Sequence, residues 1–107
     1  MGTELLPGTL DMLVLRALAR GSKHGYGIAQ FLKEISGDVL DVGESSLYPA
    51  MQRLLLNGWV SAAWGVSDNN RRARFYKLTA AGRKQLTAET REFDRMIGAI
   101  QKVMTCA

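Results

Sequence analysis

Residues 44–58, ESSLYPAMQRLLLNG, constrain the fold more than any other stretch of this chain. Their apolar side chains recur at spacings of three and four, which predicts a short helix with one buried stripe. The stripe consists of Leu47, Met51, Leu54 and Leu55. Asn57 and Gly58 predict the end of this helix, because glycine readily adopts the left-handed conformation that follows a last helical turn.

The start and the outward side of this helix are polar. Ser45 or Ser46 is expected to cap the first turn with its hydroxyl, and Pro49 falls in that turn or at its edge, where a missing N–H costs little. The outward residues are Ser46, Tyr48, Pro49, Gln52 and Arg53. Hydroxyls, an amide and a guanidinium without an acid suit the phosphate oxygens and base edges of a duplex. The alternative is an ordinary solvated helix face.

Two further helices are predicted before this stretch. The helical spacing of apolar residues extends over residues 5–20 and again over residues 26–35, with residues 21–25 as the turn between them. The apolar faces of the two helices are Leu10, Leu13, Val14, Ala17 and Leu18, and then Ile28, Phe31, Leu32 and Ile35. In residues 38–43 the side chains of Val39 and Asp41 alternate with those of Leu40 and Val42, a pattern that fits either a very short strand or an extended link.

A β-hairpin is predicted after the central helix. Residues 59–63 and 71–79 form its two arms, and the turn-forming residues 65–70 form its tip. Residues 68–84 hold six cations against one acid, a local charge of +5, whereas the whole chain has a net charge of +4. Such a hairpin can lie over a phosphate backbone and release counterions, or its arginines can simply keep an edge strand soluble. The arginines of its tip and outgoing arm are Arg71, Arg72 and Arg74.

The two tryptophans of the hairpin region receive different interpretations. Trp59 follows the end of the central helix and is expected to pack under the hairpin. Trp64 is nearer the turn, and it either packs on a neighbour, lines a pocket or stands free in solvent.

A long final helix is predicted from its cap at Thr79 to about Met104. Its apolar residues follow a heptad pattern, with Thr90 in one polar position. About 25 residues at 1.5 Å each span roughly 37 Å, which exceeds what a core this small can cover, so a second copy of the chain is the expected cover. The alternative is that this helix packs wholly on the first helix of its own subunit. The seam comprises Leu86, Phe93, Ile97, Ile100 and Met104.

Composition and residue usage argue against several other classes of protein. The single histidine, His24, has no nucleophile or carboxylate at a motif spacing, so an enzyme is not expected. One histidine, one cysteine (Cys106) and scattered acids do not predict a metal site, and no cofactor is expected. The chain has no apolar run of membrane-spanning length and no signal-peptide pattern at its start, so we expect no membrane partner and residence in the cytoplasm.

The order of these elements is that of a winged helix-turn-helix with an added C-terminal dimerisation helix, a mainly α fold with a small β-hairpin (α+β). Residues 1–79 would form the DNA-binding domain and residues 80–107 the dimerisation helix, within one compact unit. Two alternatives to a DNA-binding regulator are a winged-helix protein-interaction module and an RNA-binding protein. The deep, narrow groove of A-form RNA excludes a recognition helix, which favours double-stranded DNA.

Four segments in order carry a family resemblance: HGYGI, SSLYPAMQRL, NGWV and NNRRARFYKLTAAGRKQL. In these segments the chain resembles the PadR family of bacterial transcriptional regulators, and the resemblance covers nearly its whole length. Its short length resembles that of the subgroup with a single C-terminal helix. The resemblance implies a homodimeric repressor that binds an operator with dyad symmetry and is released by a small molecule.

The resemblance also implies site residues. Tyr26, Ser46, Tyr48 and Pro49 match motif positions that lie at the DNA in similar proteins. One turn on, Gln52 can bond an adenine edge and Arg53 a guanine edge. The complete predicted DNA-contacting set is Tyr26, Ser45, Ser46, Tyr48, Pro49, Gln52, Arg53, Arg71, Arg72 and Arg74.

The final helix departs from the pattern of the family. Some similar proteins hold flat aromatic ligands between the long helices of the dimer with a tryptophan, whereas this helix has no tryptophan and offers Phe93 and Met96. A small hydrophobic or aromatic effector is the ligand class that the resemblance implies. The predicted dimer interface is Leu86, Phe93, Met96, Ile97, Ile100 and Met104.

Overall fold

The computed structural model describes residues 8–107. These residues form four helices and a small sheet of three short strands, which confirms the predicted α+β class. The elements are α1 (Thr9–Ala19), β1 (Lys23–His24), α2 (Gly25–Ile35), α3 (Glu44–Leu56), β2 (Val60–Val66), β3 (Arg72–Leu78) and α4 (Ala80–Thr105). Gly8 is the N-cap of α1, so this helix begins later than the sequence predicted; residues 5–7 of that prediction lie outside the described residues.

Helix α1 is the centre of the core, because α2, α3, α4 and β3 all contact it. The predicted stripes of α1 and α3 are largely buried, with Leu13 and Leu55 packed at their margins. On the predicted apolar face of α2, Ile35 differs from the prediction, because it is the last residue of that helix and its side chain is exposed. The buried apolar residues are Leu10, Val14, Leu15, Ala17, Leu18, Ile28, Leu32, Val42, Leu47, Ala50, Met51, Leu54, Val60, Tyr76, Leu78 and Leu86.

The sheet has one strand more than the predicted hairpin. Strands β2 and β3 pair antiparallel from Val60 opposite Leu78 to Val66 opposite Arg72. Strand β1 pairs with the other edge of β3, so the order is β1-β3-β2. Two residues are too short to produce a periodic pattern, and the sequence therefore predicted only a turn there. No strand forms in residues 38–43: Asp38 lies in the turn after α2 with a φ of 67°, and residues 39–43 are a link without regular secondary structure.

The start of α3 differs from the sequence prediction, whereas its end agrees. The N-cap is Gly43, with no side-chain capping hydrogen bond, so the prediction that Ser45 or Ser46 caps the helix is wrong. Pro49 therefore lies in the second turn, where it cannot donate to the carbonyl of Ser45. At the other end the C-cap is Asn57, and Gly58 follows with a φ of 73°.

Thr79 joins the end of α3 to the start of α4. Its hydroxyl accepts a hydrogen bond from the Gly82 N–H at 3.0 Å, as predicted for a cap, and donates to the Gly58 carbonyl at 2.8 Å. Its own N–H donates to the Trp59 carbonyl at 3.1 Å. Trp59 is half-buried against the core. These bonds fix the base of the β2–β3 hairpin, called the wing below, relative to α3 and α4.

Candidate nucleic-acid interface

The outward face of α3 begins with four exposed polar or aromatic side chains, Ser45, Ser46, Tyr48 and Pro49. They are exposed because Leu47, Ala50, Met51 and Leu54 anchor the opposite face in the core. The first turn of α3 therefore presents hydroxyls to solvent.

A groove of about 430 Å³ separates this helix from the wing. Its walls include Tyr26 from the first turn of α2, Tyr48 from α3 and Arg74 from β3. The tertiary structure thus brings three predicted DNA-contacting residues, which are far apart in the sequence, to one groove. The remaining lining residues are His24, Gly25, Glu44, Leu47, Met51, Ala73 and Tyr76.

His24 holds the start of α2 at this groove. It is the N-cap of the helix, and its Nδ1 accepts a hydrogen bond from the Gly27 N–H at 2.9 Å. Its ring also lies 5.2 Å from the ring of Phe75, measured between centroids. The imidazole therefore connects α2 to β3, which positions Tyr26 beside the wing.

Arg53 has a partner within the chain that the sequence analysis missed. Its Nη2 lies 2.7 Å from Oδ1 of Asp11, and its Nε lies 3.1 Å from Oδ2, so the guanidinium binds both carboxylate oxygens. The hydrogen bonds to Asp11 raise the pKa of Arg53, against a smaller opposite effect of desolvation. Arg53 does lie on the exposed side of α3, as predicted, but its guanidinium is bound to Asp11 and ties α3 to α1.

Gln52 is also less available than the sequence predicted. Its side chain is half-buried, and its amide Nε2 is shielded from solvent and without a hydrogen-bond partner among the described residues. The amide nitrogen is therefore turned away from solvent, and a base contact by Gln52 stays a prediction.

The wing carries the three predicted arginines on its tip and on β3. Arg71 closes the turn, where its carbonyl accepts a hydrogen bond from the Ser67 N–H at 2.8 Å. The Cζ atom of Arg72 lies 4.7 Å from the centroid of the Trp64 ring, and that of Arg74 lies 5.7 Å from the centroid of the Tyr76 ring. Of the three interpretations of Trp64, packing on a neighbour is the one that applies, because its ring lies against Arg72.

The apolar seam of α4 is only partly covered by its own subunit. Phe93 is 41% exposed and Met104 is 77% exposed, whereas Ile97 between them is half-buried. Leu86 was predicted to lie in the interface, but its side chain is 8% exposed and belongs to the core of its own subunit. The seam available to a partner therefore consists of Phe93, Met96, Ile97, Ile100 and Met104.

A second groove, of about 410 Å³, runs between the start of α1 and this seam. Met12, Phe93 and Ile97 are among its apolar lining residues. Glu89 also lines it, and burial raises the pKa of this carboxyl, with a further contribution from the charge of Asp11. Oε2 of Glu89 is shielded from solvent and has no hydrogen-bond partner among the described residues.

Residues 8–107 contain no cluster of three or more side chains suited to hold a metal ion. None of the helices in this range has both the length and the apolar character needed to cross a bilayer.

Comparison with known proteins identifies the family. The model of the PadR-like family of transcriptional regulators matches residues 14–88, which is most of the chain. The chain belongs to this family. PadR-like proteins are transcriptional regulators, which confirms the expectation that this chain is not an enzyme.

Individual relatives support this assignment. A transcriptional regulator from Clostridium thermocellum is 26% identical, with a TM-score of 0.81 and 89% of each chain covered. The negative transcriptional regulator PadR of Bacillus subtilis is 26% identical over 77 residues, 72% of this chain and 42% of that protein. A Bacillus subtilis PadR structure in complex with operator DNA is 25% identical, with a TM-score of 0.65, and covers 74% of this chain and 45% of that one. This chain thus spans less than half the length of the Bacillus subtilis protein.

Proposed function

We propose that this PadR-like chain is a sequence-specific double-stranded DNA-binding transcriptional regulator that acts as a homodimeric repressor. The observation that carries the proposal is the groove between α3 and the wing, where Tyr26, Tyr48 and Arg74 meet. The similarity to a relative crystallised with operator DNA, and to a negative transcriptional regulator, supports both parts of the proposal. Residues 1–79 would supply the DNA contacts and residues 80–107 the dimer.

In this proposal the first turns of α3 enter the major groove. The hydroxyls of Ser45, Ser46 and Tyr48 can bond base edges or phosphate oxygens, and Pro49 adds an apolar contact. Tyr26 and Arg74 border the path of one phosphate backbone between α3 and the wing. Arg53 would act mainly by holding α3 on α1, because its guanidinium already binds Asp11.

The wing would supply a large electrostatic share of the affinity. Arg71, Arg72 and Arg74 have no carboxylate partner among the described residues, and each neutralised phosphate releases condensed counterions. Replacing all three with alanine should therefore weaken duplex binding and reduce the slope of log K against log salt by about one per lost phosphate contact.

This test needs a control with the same loss of charge. Arg16, Lys33 and Lys102 are exposed and lie outside the wing, so replacing these three with alanine removes as many cations. The control should retain most of the affinity and a steeper salt dependence than the wing variant. Wing and control variants with equal affinity and slope would contradict the proposal and favour the alternative, a winged-helix protein-interaction module.

The dimer part of the proposal depends on the open seam of α4. Apolar side chains at spacings of three and four on a helix that outreaches its own core are well suited to packing against the same helix of a second copy. Such a dimer would present two α3 helices to successive major grooves, about 34 to 36 Å apart.

Replacing Phe93 and Ile97 with aspartate should give monomers in sedimentation experiments and abolish binding to a two-half-site duplex. The matched control replaces Ala88 and Ala99, which are exposed on the other side of α4, with aspartate. That control should remain dimeric. A Phe93→Asp/Ile97→Asp protein that still sediments as a dimer would refute the assignment of the interface.

A small hydrophobic or aromatic effector would act at this seam. The groove of about 410 Å³ beside Phe93 and Met96 is apolar and large enough for such a molecule. A ligand there need only favour a dimer whose α3 separation no longer matches the duplex, which is a shift between two populations. Equal subunit orientations with and without operator DNA would contradict this mechanism.

A further inference from the structure

The two faces of the wing differ in what covers them. Side chains two residues apart on a strand, and partners directly across an antiparallel pair, lie on the same face of the sheet. One face therefore comprises Val60, Ala62, Trp64, Val66, Arg72, Arg74, Tyr76 and Leu78. Near the base this face is buried by the core, whereas toward the tip it is open, with Trp64 63% exposed.

The open part of this face points to the same side of the molecule as α3. Tyr76 and Leu78 on this face are buried in the core that α3 shares. Arg74, the next residue of this face toward the tip, borders the groove that Tyr48 of α3 also lines. Trp64 lies directly across from Arg74. The exposed aromatic and the arginines therefore continue the surface proposed to contact DNA.

Trp64 limits the positions available to the guanidinium of Arg72. The cation lies 4.7 Å from the ring centroid, within the range of a cation–π contact. No acid of the described residues binds this guanidinium, so its N–H groups keep their hydrogen-bonding capacity. A flexible arginine loses side-chain entropy on binding, and an arginine already held against a ring loses less of it.

We propose that Trp64 and Arg72 form a reader of minor-groove width, which inserts Arg72 into A·T-rich DNA flanking each half-site. This inference rests on the proposed function. Narrow A·T-rich minor grooves have an enhanced negative potential that attracts arginine, and they are contacted without base-specific hydrogen bonds. Trp64 is a positioning residue in this arrangement, because it acts on the DNA through Arg72, while Val66 beside it adds an apolar contact to the groove wall.

The test uses a duplex selected from a random pool by the wild-type protein. The base pairs immediately outside each half-site are then set either to A·T or to G·C, and the half-sites are left unchanged. The wild-type protein should bind the A·T-flanked duplex about fivefold more tightly, in the range of a single readout position. Trp64→Ala should reduce this ratio to about one while the protein still binds the half-sites.

Two conservative variants separate positioning from charge and from folding. Trp64→Phe keeps an aromatic face and should retain most of the flank preference. Arg72→Lys keeps the charge but loses the planar guanidinium, so it should lose the preference with little change in salt slope. Arg16→Lys, at an exposed arginine of α1 outside the wing, is the matched control and should behave like the wild-type protein.

The outcomes separate this inference from the function on which it rests. An equal affinity of the wild-type protein for both duplexes, or a flank preference that survives Trp64→Ala, would overturn the inference and leave DNA binding intact. Tighter binding of the single strand than of either duplex would overturn it in favour of base stacking on Trp64. Failure to bind any duplex would overturn the proposed function and the inference together.

Discussion

Replacing Arg53 with alanine tests the connection between α3 and α1. The replacement removes both hydrogen bonds to Asp11, whose side chain is only 13% exposed, whereas that of Arg53 is 51% exposed. The carboxylate left behind is mostly shielded from water, and it lies near Glu89, whose pKa its charge raises. The reverse replacement, Asp11→Asn, leaves a half-exposed guanidinium that water can solvate. We therefore expect Arg53→Ala to lower the stability of the fold more than Asp11→Asn does.

The magnitude follows from that exposure. Removing one partner of a fully buried ion pair costs about 3 to 5 kcal/mol, and exposed pairs contribute about 0 to 1 kcal/mol. A pair with one half-exposed and one shielded partner falls between these limits, so we expect Arg53→Ala to cost about 2 kcal/mol and Asp11→Asn about 1 kcal/mol. For a chain of this size, 1 kcal/mol corresponds to a Tm shift of about 4 °C.

Urea and thermal unfolding of both single variants and of the Arg53→Ala/Asp11→Asn double variant would measure these costs. All proteins must be compared at equal concentration, because dimerisation makes apparent stability concentration-dependent. The double variant should be more stable than Arg53→Ala alone, since it removes the stranded carboxylate. The reasoning is refuted if Arg53→Ala costs no more than Asp11→Asn, or if the second replacement restores nothing.

Two further predictions concern α4. Gly82→Ala should cost about 3 kcal/mol in urea unfolding, because a Cβ there would overlap the carbonyl oxygen of Trp59. The control is Gly98→Ala, whose Cβ would meet nothing within 4 Å, and it should be neutral or stabilising. Equal stabilities of the two variants would contradict this account. Burial raises the pKa of Glu89, so the folded state binds its proton more tightly than the unfolded state, and stability is lost as pH rises from the ordinary carboxyl pKa through the raised one. Glu89→Gln should therefore have a higher Tm than the wild-type protein at neutral pH, and this difference in Tm should shrink on acidification. A difference in Tm that does not depend on pH would disprove the role given to the Glu89 carboxyl.

Much of the fold was predictable because it depends on local patterns. The stripe of α3, its end at Asn57 and Gly58, and the cap at Thr79 all depend on residues within one or two helical turns of each other. The predicted hairpin formed for the same reason. Strand β1 was missed because two residues contain no period, and its pairing with β3 joins positions about 50 residues apart.

The site was less predictable, because exposure is a property of the packed molecule. Arg53 and Gln52 occupy polar positions of the α3 pattern, yet one binds Asp11, 42 residues away, and the other turns its amide out of solvent. Leu86 fits the heptad of α4 as well as Phe93 does, but only Leu86 reaches the core. A periodic pattern identifies a face without identifying what covers it.

The amino-acid sequence by itself determined the helices, the hairpin and the concentration of positive charge in residues 68–84, because each follows from neighbours along the chain. The tertiary structure alone decided that Tyr26, Tyr48 and Arg74 border one groove and that Arg72 lies against Trp64. These contacts join separate elements, and their geometry depends on how α1 packs α2, α3 and the sheet around itself. Burial and contact across elements are set by that packing, which no local spacing of residues encodes.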